Sequence, residues 1–245
     1  MTLNIYVCDG TDSEKLNWFR IVNIAGEELT EQELRNAVYA GPWLAHAKRY
    51  FSKEQGPAHD LAKSYLNGRA NRQELLETAI KWISDDDIEG YMLEHQHKGD
   101  AKPLWAYFTA VIAWVETTFI RKRAIMKGID WGRLYRAHKE DRLDPTAIEA
   151  EIARLILDDD VTSKKGIYDY ILSRDERHLN IRAFTPAMRL KVYERQDGIC
   201  AACGKPFTIE EMDADHIIPW SKGGKTEETN CQMLCRPCNA SKGGR

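Results

Sequence analysis

Two C-x2-C pairs, Cys200/Cys203 and Cys235/Cys238, with 31 residues between them, lie near the end of the 245-residue chain. A two-residue gap lets both sulfurs of a tight turn point at one ion, and two such turns complete a tetrahedral thiolate shell. Gly204 follows the first pair and Pro237 lies inside the second, both residues that suit turns. A redox C-x-x-C occurs singly and in a βαβ setting, which this region does not offer. The four cysteines therefore read as ligands of a structural zinc ion. The other two, Cys8 and Cys231, break the spacing, and Cys231 reads as a small buried hydrophobe.

The stretch between the pairs carries chemistry that a closed four-thiolate site cannot supply. Residues 213–220 read D-A-D-H-I-I-P-W, followed by a Gly223–Gly224 turn, Asn230, and Asn239 and Lys242 after the last cysteine. The Ile217–Ile218 pair is expected to anchor a short strand that Pro219 ends, and a short helix is expected after Cys238. Asn239 and Lys242, three apart, then share a helix face. Asp215 and Asn239 offer oxygen donors suited to a hard cation such as Mg²⁺ or Mn²⁺. His216, with an ordinary pKa near 6.5, suits proton abstraction at neutral pH. Upstream, Thr185 as N-cap, Pro186 at the first helical position and Gly198 at the stop delimit a helix leading into the first pair.

Residues from about 186 to 245 resemble the HNH nucleases of the treble-clef, ββα-metal type. The resemblance rests on Cys200-x-x-Cys203-Gly204, Asp215-His216-Ile217-Ile218-Pro219, Gly223–Gly224, Asn230, Leu234-Cys235-x-x-Cys238-Asn239 and Lys242. It implies that His216 is the general base and that Asp215 and Asn239 hold the catalytic metal. It also implies that Asn230 orients His216 and braces its loop, and that Lys242 approaches a phosphate. The implied reaction is metal-dependent hydrolysis of DNA, leaving 5′-phosphate and 3′-hydroxyl ends. A second resemblance covers residues 2–53. Phe19-Arg20-Ile21-Val22-Asn23, Gly26 and Leu29-Thr30-x-x-Glu33-Leu34-Arg35-Asn36 look like the later part of the ParB-like domain of GmrSD-type, modification-dependent restriction proteins. That family's Asp-Gly-Gln-Gln-Arg signature is missing, since Asp9-Gly10 runs into Thr11-Asp12. The pairing implies a role in restriction or anti-phage defence.

The first three quarters of the chain read as mainly helical. Thr30 and Glu33 form a capping box, Asn71 and Glu74 signal the next helix start, and 103–127 reads as the longest helix. Asp85–Asp87 read as helix N-terminal acids rather than metal ligands. Leu3–Val7 is the expected strand outside the C-terminal unit. The expected fold class is thus mainly α with a small C-terminal α+β unit. Its domains are a helical region, 1–184, whose part 54–184 scaffolds or positions DNA, and a zinc-stapled nuclease domain, 185–245.

Charge modifies this picture locally. Residues 1–120 hold 12 Lys+Arg against 18 Asp+Glu, yet 121–142 hold eight basic side chains against three acids. Arg121, Lys122 and Arg123 begin this stripe and are candidate phosphate contacts. With 43% hydrophobic and 30% charged residues, the composition is that of a globular chain. No signal peptide or membrane span is legible, so a cytoplasmic location is expected. The expected partner is DNA, with RNA as an alternative, and with a second copy or a restriction-complex subunit open. A non-catalytic zinc-stapled binding module is the competing function, but it would not need Asp215, His216 and Asn239.

Overall fold

The computed structural model describes residues 9–22 and 29–243. The expected strand Leu3–Val7, together with Asn23 and Gly26 of the ParB-like motif, lies outside these residues. The chain is mainly helical and divides into two compact units, 1–151 and 152–245.

The first unit contains α1 (Asp12–Val22), α2 (Glu31–Val38), α3 (Pro42–Phe51), α4 (Pro57–Ala62), α5 (Glu74–Ser84), α6 (Ile88–His95), α7 (Lys102–Thr118) and α8 (Trp131–His138). Helix α9 (Pro145–Leu157) begins in it and ends in the second. The caps follow from the sequence. Thr30 and Glu33 form a reciprocal capping box at α2, and Asp87 accepts the Gly90 N–H at the start of α6. Asp87 of the acidic run is thus a helix cap. Asn71 is not the cap of α5; it lies in a 3-10 turn, and Gln73 at φ 65° precedes the helix without a side-chain cap.

Helix α7 stops at Thr118 rather than at residue 127. Phe119 leaves the helix with extended dihedrals and is buried, packing its ring 5.4 Å from that of Trp131. Burying a large aromatic side chain is worth more than another helical hydrogen bond at an exposed end. Arg121–Arg123 therefore lie on a loop. The core is aromatic: Phe51 meets Phe108 edge-on at 5.2 Å, and Trp82 stacks on Phe108 at 5.6 Å. Gly132 lets α8 approach Trp82 closely, because a Cβ there would lie 2.1 Å from the indole. Gly132→Ala is expected to destabilise this unit by about 1–3 kcal/mol through overpacking, read as a lower melting temperature. An unchanged transition would show that α5 and α8 can separate freely.

The second unit adds α10 (Gly166–Ser173), α11 (Pro186–Arg195), β1 (Met212–His216), β2 (Cys231–Cys235) and α12 (Arg236–Gly243). Thr185 caps α11 by accepting the Met188 N–H, and Gly198 takes φ +67° beyond its end, as the sequence suggests. The two strands pair antiparallel, Met212 opposite Cys235 and His216 opposite Cys231. Met212, Met233 and Cys231 pack with Phe184, Val192 and Leu234 into a small core. The first strand ends at His216, so Ile217–Ile218 do not anchor it. They sit in the following loop, half-exposed, while Met212 and Ala214 supply the apolar face. Among the described residues no helix is long and apolar enough to cross a membrane.

Candidate active site and metal centre

The four cysteine sulfurs of the two pairs lie within 4.8 Å of one another. A zinc tetrahedron with bonds of about 2.3 Å has edges near 3.8 Å, and Cys203 and Cys235 Sγ stand 3.9 Å apart. Backbone geometry builds the first turn. Gly204 takes φ +68° and donates its N–H to the Cys200 carbonyl at 2.9 Å. The Cys235 N–H donates to Cys200 Sγ at 3.3 Å, so the second pair also supports the first. Burial works against a Cys200 thiolate, but N–H groups of Cys203, Cys235 and Ala202 outweigh it and lower its pKa to about 6. Hydrogen bonding with Cys235, then burial, pushes Cys238 up to about 12. Four thiolates this close need a cation to share, which is what zinc supplies. Cys231 is buried outside the cluster, and burial raises its pKa, as befits an inert core thiol.

Alternation along β1 sorts its side chains. Met212 and Ala214 face the core, and Asp213 and Asp215 face the other way. Helix α12 presents one face to these acids. Asn239 donates to Asp213 at 3.4 Å, and Lys242, one turn on, donates to Asp215 and to the His216 carbonyl. A separation of three on a helix thus matches a separation of two on a strand. Gln232, across the ladder, also donates to Asp215 at 3.1 Å. Lys242 therefore sits on Asp215, whereas the resemblance implies that it approaches a phosphate. Among the described residues no group donates to Asn239 Oδ1. Asp213, Asp215, His216, Asn239 and Lys242 all line one groove of about 880 Å³. Oxygen donors from Asp215 and Asn239, in a place that already attracts an ammonium group, fit a hard divalent cation.

His216 is half-buried against Phe184, ring centres 4.6 Å apart. Burial holds its pKa below the ordinary value, assisted by Lys242 and opposed by Asp215 and Asp160. The ring's hydrogen-bond partner is Thr226, whose Oγ1 lies 3.0 Å from Nε2. Asn230 bonds no ring atom. Its Oδ1 accepts the Ile218 N–H at 2.8 Å, and its Nδ2 donates to the carbonyls of Ile218 and Lys225 at 3.0 and 2.9 Å. It closes the 217–225 loop behind His216, so it reaches that residue only through the backbone. Gly224 is required there, since a Cβ would lie 1.8 Å from the Ile218 carbonyl oxygen.

The basic stripe of the other unit is largely engaged. Arg123 is part-buried in a two-pronged ion pair with Glu149, and Lys122 bonds Glu116 while lying over the Tyr65 ring at 5.3 Å. The Arg121 side chain is 72% exposed, with Glu149 3.9 Å away. Sequence reasoning missed Thr226, Asp158 and Asp160. The signal was faint: a threonine in a glycine-rich turn and an acidic run well upstream.

Residues 200–245 match the family model for HNH endonucleases, and the four clustered cysteines fall inside the match. The chain thus carries an HNH endonuclease domain at its C-terminal end. Two curated relatives each match part of the chain. A 56-residue stretch is 39% identical to the CRISPR-associated endonuclease Cas9 of Corynebacterium diphtheriae, covering 22% of this chain and 5% of that protein. A 70-residue stretch is 31% identical to the type IV methyl-directed restriction enzyme EcoKMcrA of Escherichia coli strain K12, covering 26% of this chain and 25% of that protein. The chain therefore spans only a small part of either relative. No solved structure matches it.

Proposed function

We propose that this protein is a metal-dependent DNA endonuclease acting in restriction or defence against foreign or modified DNA. The observation that carries the reading is the single groove in which Asp215 and His216, at the end of β1, meet Asn239 and Lys242 of α12. Asp215 and Asn239 would hold Mg²⁺ or Mn²⁺, which when bound would stabilise negative charge on the phosphate and its leaving oxygen. His216 takes a proton from the attacking water, and its depressed pKa keeps it in the neutral, accepting form. Lys242 shares Asp215 and presents a positive charge to the groove. Arg121, the exposed member of the basic stripe, contributes a phosphate contact outside the domain, and Lys122 and Arg123 hold its loop. The endonuclease and restriction functions named for the two relatives support DNA as the substrate and defence as the setting.

The test is incubation of the purified chain with supercoiled, unmodified and modified-base phage DNA. Cutting is expected with Mg²⁺ or Mn²⁺, to stop with EDTA, and to return when Mg²⁺ is restored while zinc content stays constant. Asp215→Ala is expected to lose cutting with its zinc intact. Metal-independent cutting, or wild-type rates in Asp215→Ala, would overturn the assignment of this carboxylate to the metal.

A further inference from the structure

Thr226 connects the imidazole of His216 to chain that precedes the HNH match. The Thr226 hydroxyl donates to the Arg182 carbonyl at 3.1 Å. A hydroxyl has one proton, so toward His216 Nε2 the same oxygen can only accept. Nε2 then carries the hydrogen, and Nδ1 keeps the lone pair on a residue that lines the groove.

Thr226 is itself held from behind. Its N–H donates to the Asp160 carboxylate at 3.0 Å, and the two residues are 8% and 5% exposed. The Asp160 carbonyl accepts the Arg182 N–H at 2.7 Å, and Val161 and Ile181 form an antiparallel bridge between the same two segments. One short ladder thus delivers both the carboxylate and the carbonyl that Thr226 needs. Asp158, two residues earlier, ties the rest of the loop. It accepts from Trp220 Nε1 at 3.2 Å, Lys225 Nζ at 2.7 Å and the Asp160 N–H at 3.1 Å. Its pKa falls below the ordinary carboxylate value; burial opposes this, but the Lys225 bond and the others outweigh it. Buried acids persist only when bonded this fully.

We propose that Asp160, the Arg182 carbonyl and Thr226 form a positioning relay that locks His216 as its Nε2–H tautomer, so that Nδ1 is the nitrogen that accepts the proton. The proposal rests on the reading of His216 as the base. It makes the segment 158–182 a working part of the nuclease site, although the family match begins only at residue 200.

The test is NMR on the full-length, zinc-loaded protein labelled with ¹⁵N-histidine, with His216→Ala assigning the signal. The wild type, Thr226→Ser and Asp160→Asn are expected to show the Nε2–H tautomer, because each keeps the needed acceptor. Thr226→Val is expected to show a mixture. In parallel, cutting of supercoiled plasmid with Mn²⁺ is expected to lose on the order of 10- to 100-fold in kcat in Thr226→Val, with KM changed less than about twofold, and to recover in Thr226→Ser. An Nδ1–H tautomer in the wild type overturns the relay without any variant. So does an unchanged tautomer in a folded Thr226→Val, or a loss confined to KM. If the wild type cuts no DNA, the nuclease reading fails, while the tautomer still decides the relay.

Discussion

Replacing His216 by alanine is expected to reduce DNA cleavage by about 10²- to 10⁴-fold, the range that a positioned proton acceptor contributes. The loss should appear in kcat, because His216 is the one imidazole lining the groove among the described residues. Structural consequences should be small. The imidazole makes one side-chain hydrogen bond, to Thr226, and one ring contact, to Phe184. Losing these costs about 1 kcal/mol, a few degrees in melting temperature. Zinc content should stay at one ion per chain, since no ring atom of His216 belongs to the thiol cluster. Rates near wild type would sink the base assignment. A collapse of folding would show that the side chain is structural.

Replacing Cys235 by alanine should have the opposite signature, a large loss of stability in one unit. Cys235 is 3% exposed at the end of β2, and its N–H also supports Cys200 Sγ. The core beside it is small, and β1 and β2 are its only strands among the described residues. Such a unit depends on its metal, and zinc binding of about 10–16 kcal/mol is folding free energy here. The expected result is loss of zinc and of cooperative unfolding for residues 152–245. Most of the helical circular dichroism should remain, because α1–α8 belong to the other unit. Unchanged zinc content and melting would mean that the thiols do not hold the ion. The contrast between the two variants separates chemistry from scaffolding within 20 residues of sequence.

Much of the C-terminal unit was legible because its signals are local. A C-x2-C turn needs only its own backbone to aim two sulfurs at one ion, and Thr185 caps the helix three residues away. The mainly helical class was legible for the same reason, through caps and apolar periodicity. Errors arose where distant packing decided. The apolar run after residue 102 continues past Thr118, yet burial of Phe119 beside Trp131 ends the helix there. Ile217–Ile218 look like a strand by composition, but Asn230 seizes the Ile218 backbone and holds it in a loop.

The sequence by itself determined the four clustered thiols, the Thr30 and Thr185 helix caps and the order of Asp215, His216, Asn230 and Asn239, because these depend on spacing along the chain. Only the tertiary structure decided what touches the imidazole. Asp160, Arg182 and Thr226 stand 66 and 44 residues apart across their bonds, and no periodicity spans such distances. Their meeting follows from burial: an acid and a hydroxyl removed from water must find partners, and the fold brings each to the other behind His216.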